Sequence, residues 1–86
     1  MFSMEKFGDM LGRFLTKSQY SKVEFARLIK VNRITIYKYL DEAAFPSYKT
    51  LKRIAAVLNP SNKNMLEALL LKALNYSKLE VYKGRM

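Results

Sequence analysis

The sequence predicts an all-α fold, a compact bundle of about five helices forming one domain over residues 1–86. Two observations carry this. Apolar residues recur at three- and four-residue steps through successive stretches, the spacing that gives a helix one buried face. Residues suited to cap helix starts, Ser21, Asn32 and Ser47, head three of those stretches, and both prolines fall between them. The core covers about residues 4–76, and a tail covers about 77–86.

The first helix, about Met4 to Thr16, sets Phe7, Met10, Leu11, Phe14 and Leu15 on one face, so its aromatics belong to the core. Ser21-Lys22-Val23-Glu24 has the spacing of a capping box, in which the serine hydroxyl accepts from the Glu24 amide and the Glu24 carboxylate reaches back to the Ser21 amide. A second helix therefore starts at Ser21 and turns Phe25, Ala26 and Ile29 inward, with Leu28 alongside. Asn32 caps a third, which runs to Leu40. Both are too short to persist alone in water, so tertiary packing must hold them.

Pro46 restrains Phe45 to extended geometry, and Ser47 caps a fourth helix, about Tyr48 to Leu58, that buries Leu51, Ile54, Ala55 and Leu58. Asn59-Pro60-Ser61 ends it. The fifth, about Asn62 to Tyr76, carries Met65, Leu66, Leu69, Leu70, Leu71, Ala73 and Leu74. Beyond it, Lys78-Leu79-Glu80-Val81-Tyr82-Lys83 alternates apolar and polar residues, as a short C-terminal strand or arm would.

Composition narrows the function. Sixteen Lys and Arg against seven Asp and Glu give a formal charge of +9, which favours a polyanionic partner, nucleic acid first. The basic residues are spread along the chain instead of flanking one amphipathic segment, which argues against a membrane surface. No apolar run reaches the ~18 residues that span a bilayer, and the opening Met1-Phe2-Ser3-Met4-Glu5-Lys6 does not read as a signal peptide, so the expected location is the cytoplasm. The chain has no Cys and no His, which removes disulfides, the usual zinc ligands and the commonest general base. No pair of carboxylates stands out for acid-base work; the expectation is a binding protein without cofactor, metal or small-molecule ligand, and not an enzyme.

Two short helices joined by a three- or four-residue turn make a helix-turn-helix. The stretch from Ser21 to Leu40, SKVEFARLIKVNRITIYKYL, resembles the lambda repressor and Cro-like helix-turn-helix family. Ala26 matches the small residue where the two helices cross, Val31 the apolar turn residue and Ile36 the inward residue of the recognition helix. Phe45-Pro46-Ser47-Tyr48-Lys49-Thr50-Leu51 looks like the family's loop and following helix, so the resemblance covers about Phe7 to Leu58. It departs at Lys30, where the family usually has a turn glycine, at Leu40, where many relatives carry Glu, and at Glu42, which replaces a common loop glycine. If Lys30 must adopt a left-handed backbone, a non-glycine residue costs about 1 kcal/mol. The resemblance implies a sequence-specific regulator of transcription, a Cro-type repressor that occupies a double-stranded DNA operator through the major groove. Two other readings stay open: a DNA-binding antitoxin of a toxin-antitoxin module, and a protein-binding module whose helix-turn-helix face grips an acidic partner.

At about 100° per residue, Ile36, Tyr39 and Leu40 fall on one side of the third helix and Arg33, Ile34, Tyr37 and Lys38 spread over the other. Arg33 is placed to fork onto guanine O6 and N7. Ile34 either meets a thymine methyl or covers the core edge. Tyr37 either reaches a base or phosphate through its hydroxyl or packs its ring over the helix pair. Asn32 is chiefly a cap with a base in reach. Lys38 and Lys22 are assigned to phosphates, Lys22 aided by the amides at the second helix start. Lys49, with Lys52 and Arg53, either extends the phosphate track or is a solvated face. Asp41 and Glu42 follow the third helix at the end expected to leave the groove, and a hold of Asp41 on Lys38 is not assigned.

Operator binding by this fold generally uses two-fold pairs of half-sites about 34 Å apart, which implies a homodimer. Leu71 on the fifth helix is read as projecting away from the core stripe, and Leu79 and Val81 as one face of the tail strand. These three are the expected dimer interface.

Overall fold

The computed structural model describes residues 5–84, with side chains through residue 80. It is a five-helix bundle: α1 (Phe7–Lys17), α2 (Lys22–Leu28), α3 (Arg33–Leu40), α4 (Tyr48–Leu58) and α5 (Lys63–Gly84), with one 3-10 turn (Pro60–Asn62) leading into α5. The core is one cluster to which all five helices contribute, including Phe7, Leu11, Phe25, Ile29, Ile36, Leu51, Ile54, Leu66 and Leu70. Phe7 and Tyr39 meet edge to face at 6.3 Å between ring centroids, which fixes α1 against α3. Leu58, expected inside, is only partly buried, and Leu28 is exposed.

The capping residues do what their spacing predicts. Ser21 Oγ accepts from the Glu24 amide at 3.1 Å and Glu24 Oε1 accepts from the Ser21 amide at 3.0 Å, closing the capping box at the head of α2. The bond from the Ser21 amide first, and the nearby Ser21 hydroxyl second, hold the Glu24 carboxyl below its usual range. Asn32 Oδ1 accepts from the Ile34 amide at 2.8 Å and Ser47 Oγ from the Thr50 amide at 3.3 Å, so α3 and α4 are capped in turn.

Both ends flanking the short helix pair close in the same way. After α2, Lys30 takes φ 63°, and the amides of Lys30 and Val31 bond back to the carbonyls of Arg27 (3.2 Å) and Ala26 (3.0 Å). After α3, Glu42 also takes φ 63°, and the amides of Glu42 and Ala43 bond back to Tyr39 (3.3 Å) and Lys38 (2.8 Å). Each is a Schellman ending, normally built on glycine because only glycine enters the left-handed region without a Cβ penalty. The two departures from the glycine pattern therefore sit where the backbone is left-handed. Lys30 is exposed, and no side-chain hydrogen bond or ion pair anchors it among the described residues. Lys30→Gly should thus raise stability by about 0.5–1 kcal/mol, read as a higher thermal midpoint of the helical circular dichroism signal.

Glu42 does carry an anchor. Its Oε2 accepts from the Gly8 amide at 3.0 Å and its Oε1 accepts from the Ser77 hydroxyl at 2.7 Å, while Ser77 Oγ in turn accepts from the Phe7 amide at 2.7 Å. The N-cap of α1, Lys6, makes no side-chain cap, so this carboxylate and hydroxyl supply the acceptors that the head of α1 lacks. One polar cluster thereby pins α1, the end of α3 and α5 together. Ser77 is 1 % exposed, yet every buried side-chain polar atom among the described residues has a partner.

Three expectations about the C-terminal region need correction. The fifth helix does not stop near Tyr76; it continues to Gly84, so no strand or arm forms over the described part of the tail. So short an alternation is compatible with either period, and here helix propagation from a long preceding helix prevails. Leu71 is not a projecting residue but is half-buried and packs against the core cluster. Leu79 is exposed on helix, not on a strand, and the Val81 side chain lies outside the described residues.

Candidate nucleic-acid interface

α3 is eight residues long and divides cleanly. Ile36 and Tyr39 are buried and Leu40 is half-buried, which anchors the helix over an arc of about 100°. Burial raises the Tyr39 hydroxyl pKa, since the phenolate is disfavoured out of water. Arg33, Ile34, Tyr37 and Lys38 are all exposed, Arg33 one helical repeat from Leu40 at the edge of the anchored arc. Ile34 is 60 % exposed, so it does not cover the core edge.

α2 lies beside α3 and adds Lys22 to this face. The Lys22 ammonium stands 5.7 Å from the centroid of the Tyr37 ring, a cation-π distance, so the first turn of α2 and the middle of α3 present one continuous surface. Tyr37 is exposed, its ring under the Lys22 cation, with the hydroxyl at its far end. Asn32 is engaged as the α3 cap through Oδ1, which leaves its side-chain NH2 as the group that can face a base.

The expected help from the α2 amides is smaller than the sequence suggests. The Ser21 and Glu24 amides are already satisfied by the capping box, and the Glu24 carboxylate sits at that helix head, so the attraction for an anion rests on the Lys22 side chain. No ion pair joins Lys38 to Asp41; the ion pair among the described residues is Arg13 with Glu5, at 2.8 Å. Among the described residues, then, the cations of α2 and α3 have no acidic partner within 4 Å. Lys49 is exposed in the first turn of α4, on a separate element from the α3 row. Lys52 is exposed with its ammonium 5.5 Å from the Tyr48 ring centroid, and Arg53 is half-buried.

One feature escaped the sequence reading. Beside Lys22 an open groove of about 250 Å³ is lined by Gly12, Thr16, Ser18, Tyr20, Ser21 and Leu40, from α1, the α1–α2 loop and the end of α3. Its polar wall comes from Thr16, Ser18, Tyr20 and Ser21, next to Lys22.

No protein-family profile, curated protein or solved structure matches the chain. Among the described residues no helix is long and apolar enough to cross a membrane.

Proposed function

We propose that this protein is a sequence-specific DNA-binding regulator of transcription, with α2 and α3 as a helix-turn-helix and α3 as the helix that enters the major groove, working in the cytoplasm as a Cro-type repressor. The observation that carries the reading is the outward row Arg33, Ile34, Tyr37 and Lys38 on a short, internally anchored helix, flanked by Lys22 and lacking acidic partners among the described residues. A B-form major groove admits one α-helix, whose exposed side chains then meet base edges while flanking cations meet phosphates. Arg33 in the first turn reads guanine. Ile34 offers a branched apolar end to a thymine methyl, which accounts for an isoleucine in full view of solvent. Lys22 and Lys38 hold the backbone, and Lys49 extends that hold on the α4 side.

The test separates readout from anchorage. Fluorescence anisotropy with a selected duplex and a random duplex should show Arg33→Ala losing most of the preference between them, a ratio worth about 1–3 kcal/mol, while Lys22→Ala weakens both equally. Over a salt series, about six phosphate contacts per bound pair give a log-log slope near −5. A slope near zero would instead support an acidic protein as the partner of this face.

A further inference from the structure

One strained residue closes the helix that carries Arg33. Glu42, two residues past Leu40, takes φ 63°, in the region that favours glycine. Strain kept at one site points to what the residue does there. Its carboxylate oxygens reach two other helices: Oε2 accepts from the Gly8 amide of α1 at 3.0 Å and Oε1 from the Ser77 hydroxyl of α5 at 2.7 Å. Ser77 Oγ also accepts from the Phe7 amide at 2.7 Å, so this one hydroxyl joins α1, α5 and the end of α3. α3 packs chiefly on α1 and α2, and α5 on α4 and α1, so the Ser77 to Glu42 bond ties α5 to a helix it does not pack along. Capping α1 alone would not require that span, since a Ser or Asp at position 6 would do it locally.

We propose that Glu42 and Ser77 are positioning residues of the base-reading surface: they fix the end of α3 to α1 and α5, and so set the tilt at which α3 presents Arg33. The proposal rests on the reading of α3 as the helix that enters the groove. Glu42 replaces a common loop glycine, and Ser77 lies beyond the stretch that resembles helix-turn-helix regulators, so the device belongs to this chain.

The lever is short and its tolerance is small. Buried Ile36 and Tyr39 keep α3 seated in the core, so with its end released the helix rocks about them. Arg33 stands about 7 Å along the axis from the midpoint of that pivot, and a rock of roughly 8° moves it by about 1 Å. That exceeds the spread of about 0.5 Å over which an N–H···O bond keeps its strength. Lys22, Lys38 and Lys49 meet phosphates as point charges on flexible stems and absorb the same shift. Loosening the end of α3 therefore lowers discrimination between sequences and leaves the attraction for DNA as such in place.

Anisotropy decides the matter, read well below the melting range of every variant, with a duplex that the wild type selects from a random pool and with a random-sequence duplex. Ser77→Ala leaves the net charge unchanged. Its preference for the selected duplex should fall roughly threefold to tenfold, while its affinity for the random duplex and its log-log salt slope stay at the wild-type values. Glu42→Asp also keeps the charge and suits the left-handed position, but is one methylene too short to reach both partners, so it should lose preference in the same way. If Ser77→Ala does not fold by circular dichroism, Glu42→Asp decides alone. Glu42→Gln keeps an oxygen for the Gly8 amide and an NH2 for Ser77 Oγ, and should retain the preference. Adding Ser77→Ala to Arg33→Ala should narrow it by less than about twofold more, since the displaced contact is already gone. Equal weakening on both duplexes, as from a fold that merely loosens, overturns the proposal. So does an unchanged preference in Ser77→Ala and Glu42→Asp, or a Ser77→Ala loss that multiplies in full with that of Arg33→Ala. A wild type that binds its selected and random duplexes alike removes the DNA reading itself and this proposal with it, whereas the other adverse results leave that reading standing.

Discussion

Replacing Gly8 by alanine is expected to lower the thermal midpoint by roughly 10–20 °C, although the same exchange inside a helix ordinarily stabilises by about 1 kcal/mol. The reason is the closeness of α1 to the end of α3. A Cβ on Gly8 would lie 2.4 Å from the Leu40 carbonyl oxygen and 3.0 Å from both the Leu40 carbonyl carbon and the Tyr39 oxygen. These are backbone atoms of a helix end locked by its Schellman bonds, so no side-chain rotation relieves the clash. The head of α1 must lift away, which disturbs the Gly8 to Glu42 bond and the Phe7 to Tyr39 contact together. Overpacking of this kind costs about 2–3 kcal/mol, and in a domain this small each kcal/mol moves the midpoint by about 4–8 °C. Gly12 supplies the control one turn along the same helix. Its Cβ would meet Leu40 Cδ2 at 3.5 Å, an ordinary contact with a flexible side chain, so Gly12→Ala should stabilise by about 0.5–1 kcal/mol. Circular dichroism melts of the two variants should shift in opposite directions; equal shifts would mean that the approach of α1 to α3 is not close in solution.

How far the sequence discloses this molecule depends on how local each cause is. Helix spacing and caps act within four residues, and Ser21, Glu24, Asn32 and Ser47 all perform as their neighbours in sequence suggest. The outward row on α3 is legible for the same reason, since one helical period and two anchoring residues settle which side faces water. The left-handed positions were readable at Lys30 and Glu42 as departures from a glycine pattern, but the compensation at Glu42 was not. Its partners, Gly8 and Ser77, lie 34 and 35 residues away, and a serine within an apolar helix face carries no local sign of its acceptor. The tail differs for another reason: Leu79 and Val81 satisfy strand alternation over too few residues to exclude a helix, and the helix already under way continues through them. Leu71 packs inward because an angle on an isolated helix does not say where the neighbouring helices lie, and here the core cluster reaches it.

Glu42 should behave unlike the other left-handed residue, and the contrast isolates what its side chain does. Glycine at position 30 relieves backbone strain and costs nothing, whereas Glu42→Gly relieves the same strain, about 1 kcal/mol, and deletes a carboxylate that accepts two hydrogen bonds. Bonds to a charged acceptor contribute about 1.5–3 kcal/mol each, and the Gly8 amide and Ser77 hydroxyl would be left without acceptors in a part-buried site. The net loss for Glu42→Gly should therefore be about 2–5 kcal/mol, opposite in sign to Lys30→Gly. Glu42→Gln keeps the shape and one carbonyl oxygen for the Gly8 amide, while its NH2 can donate to Ser77 Oγ, so it should lose only about 1 kcal/mol. Ser77→Ala strips the Phe7 amide of its buried acceptor and should cost about 1–3 kcal/mol by itself. Because Ser77 and Glu42 belong to one network, the double variant Glu42→Ala with Ser77→Ala should cost less than the two single alanine losses added, by about 0.5 kcal/mol or more, in urea titrations. Strict additivity would show that the two groups act separately. The same network holds the loop after α3, so amide exchange over Asp41 to Ala44 should quicken in Ser77→Ala even though the substitution lies on α5, the mark of a link running from the last helix to the end of the helix that carries Arg33.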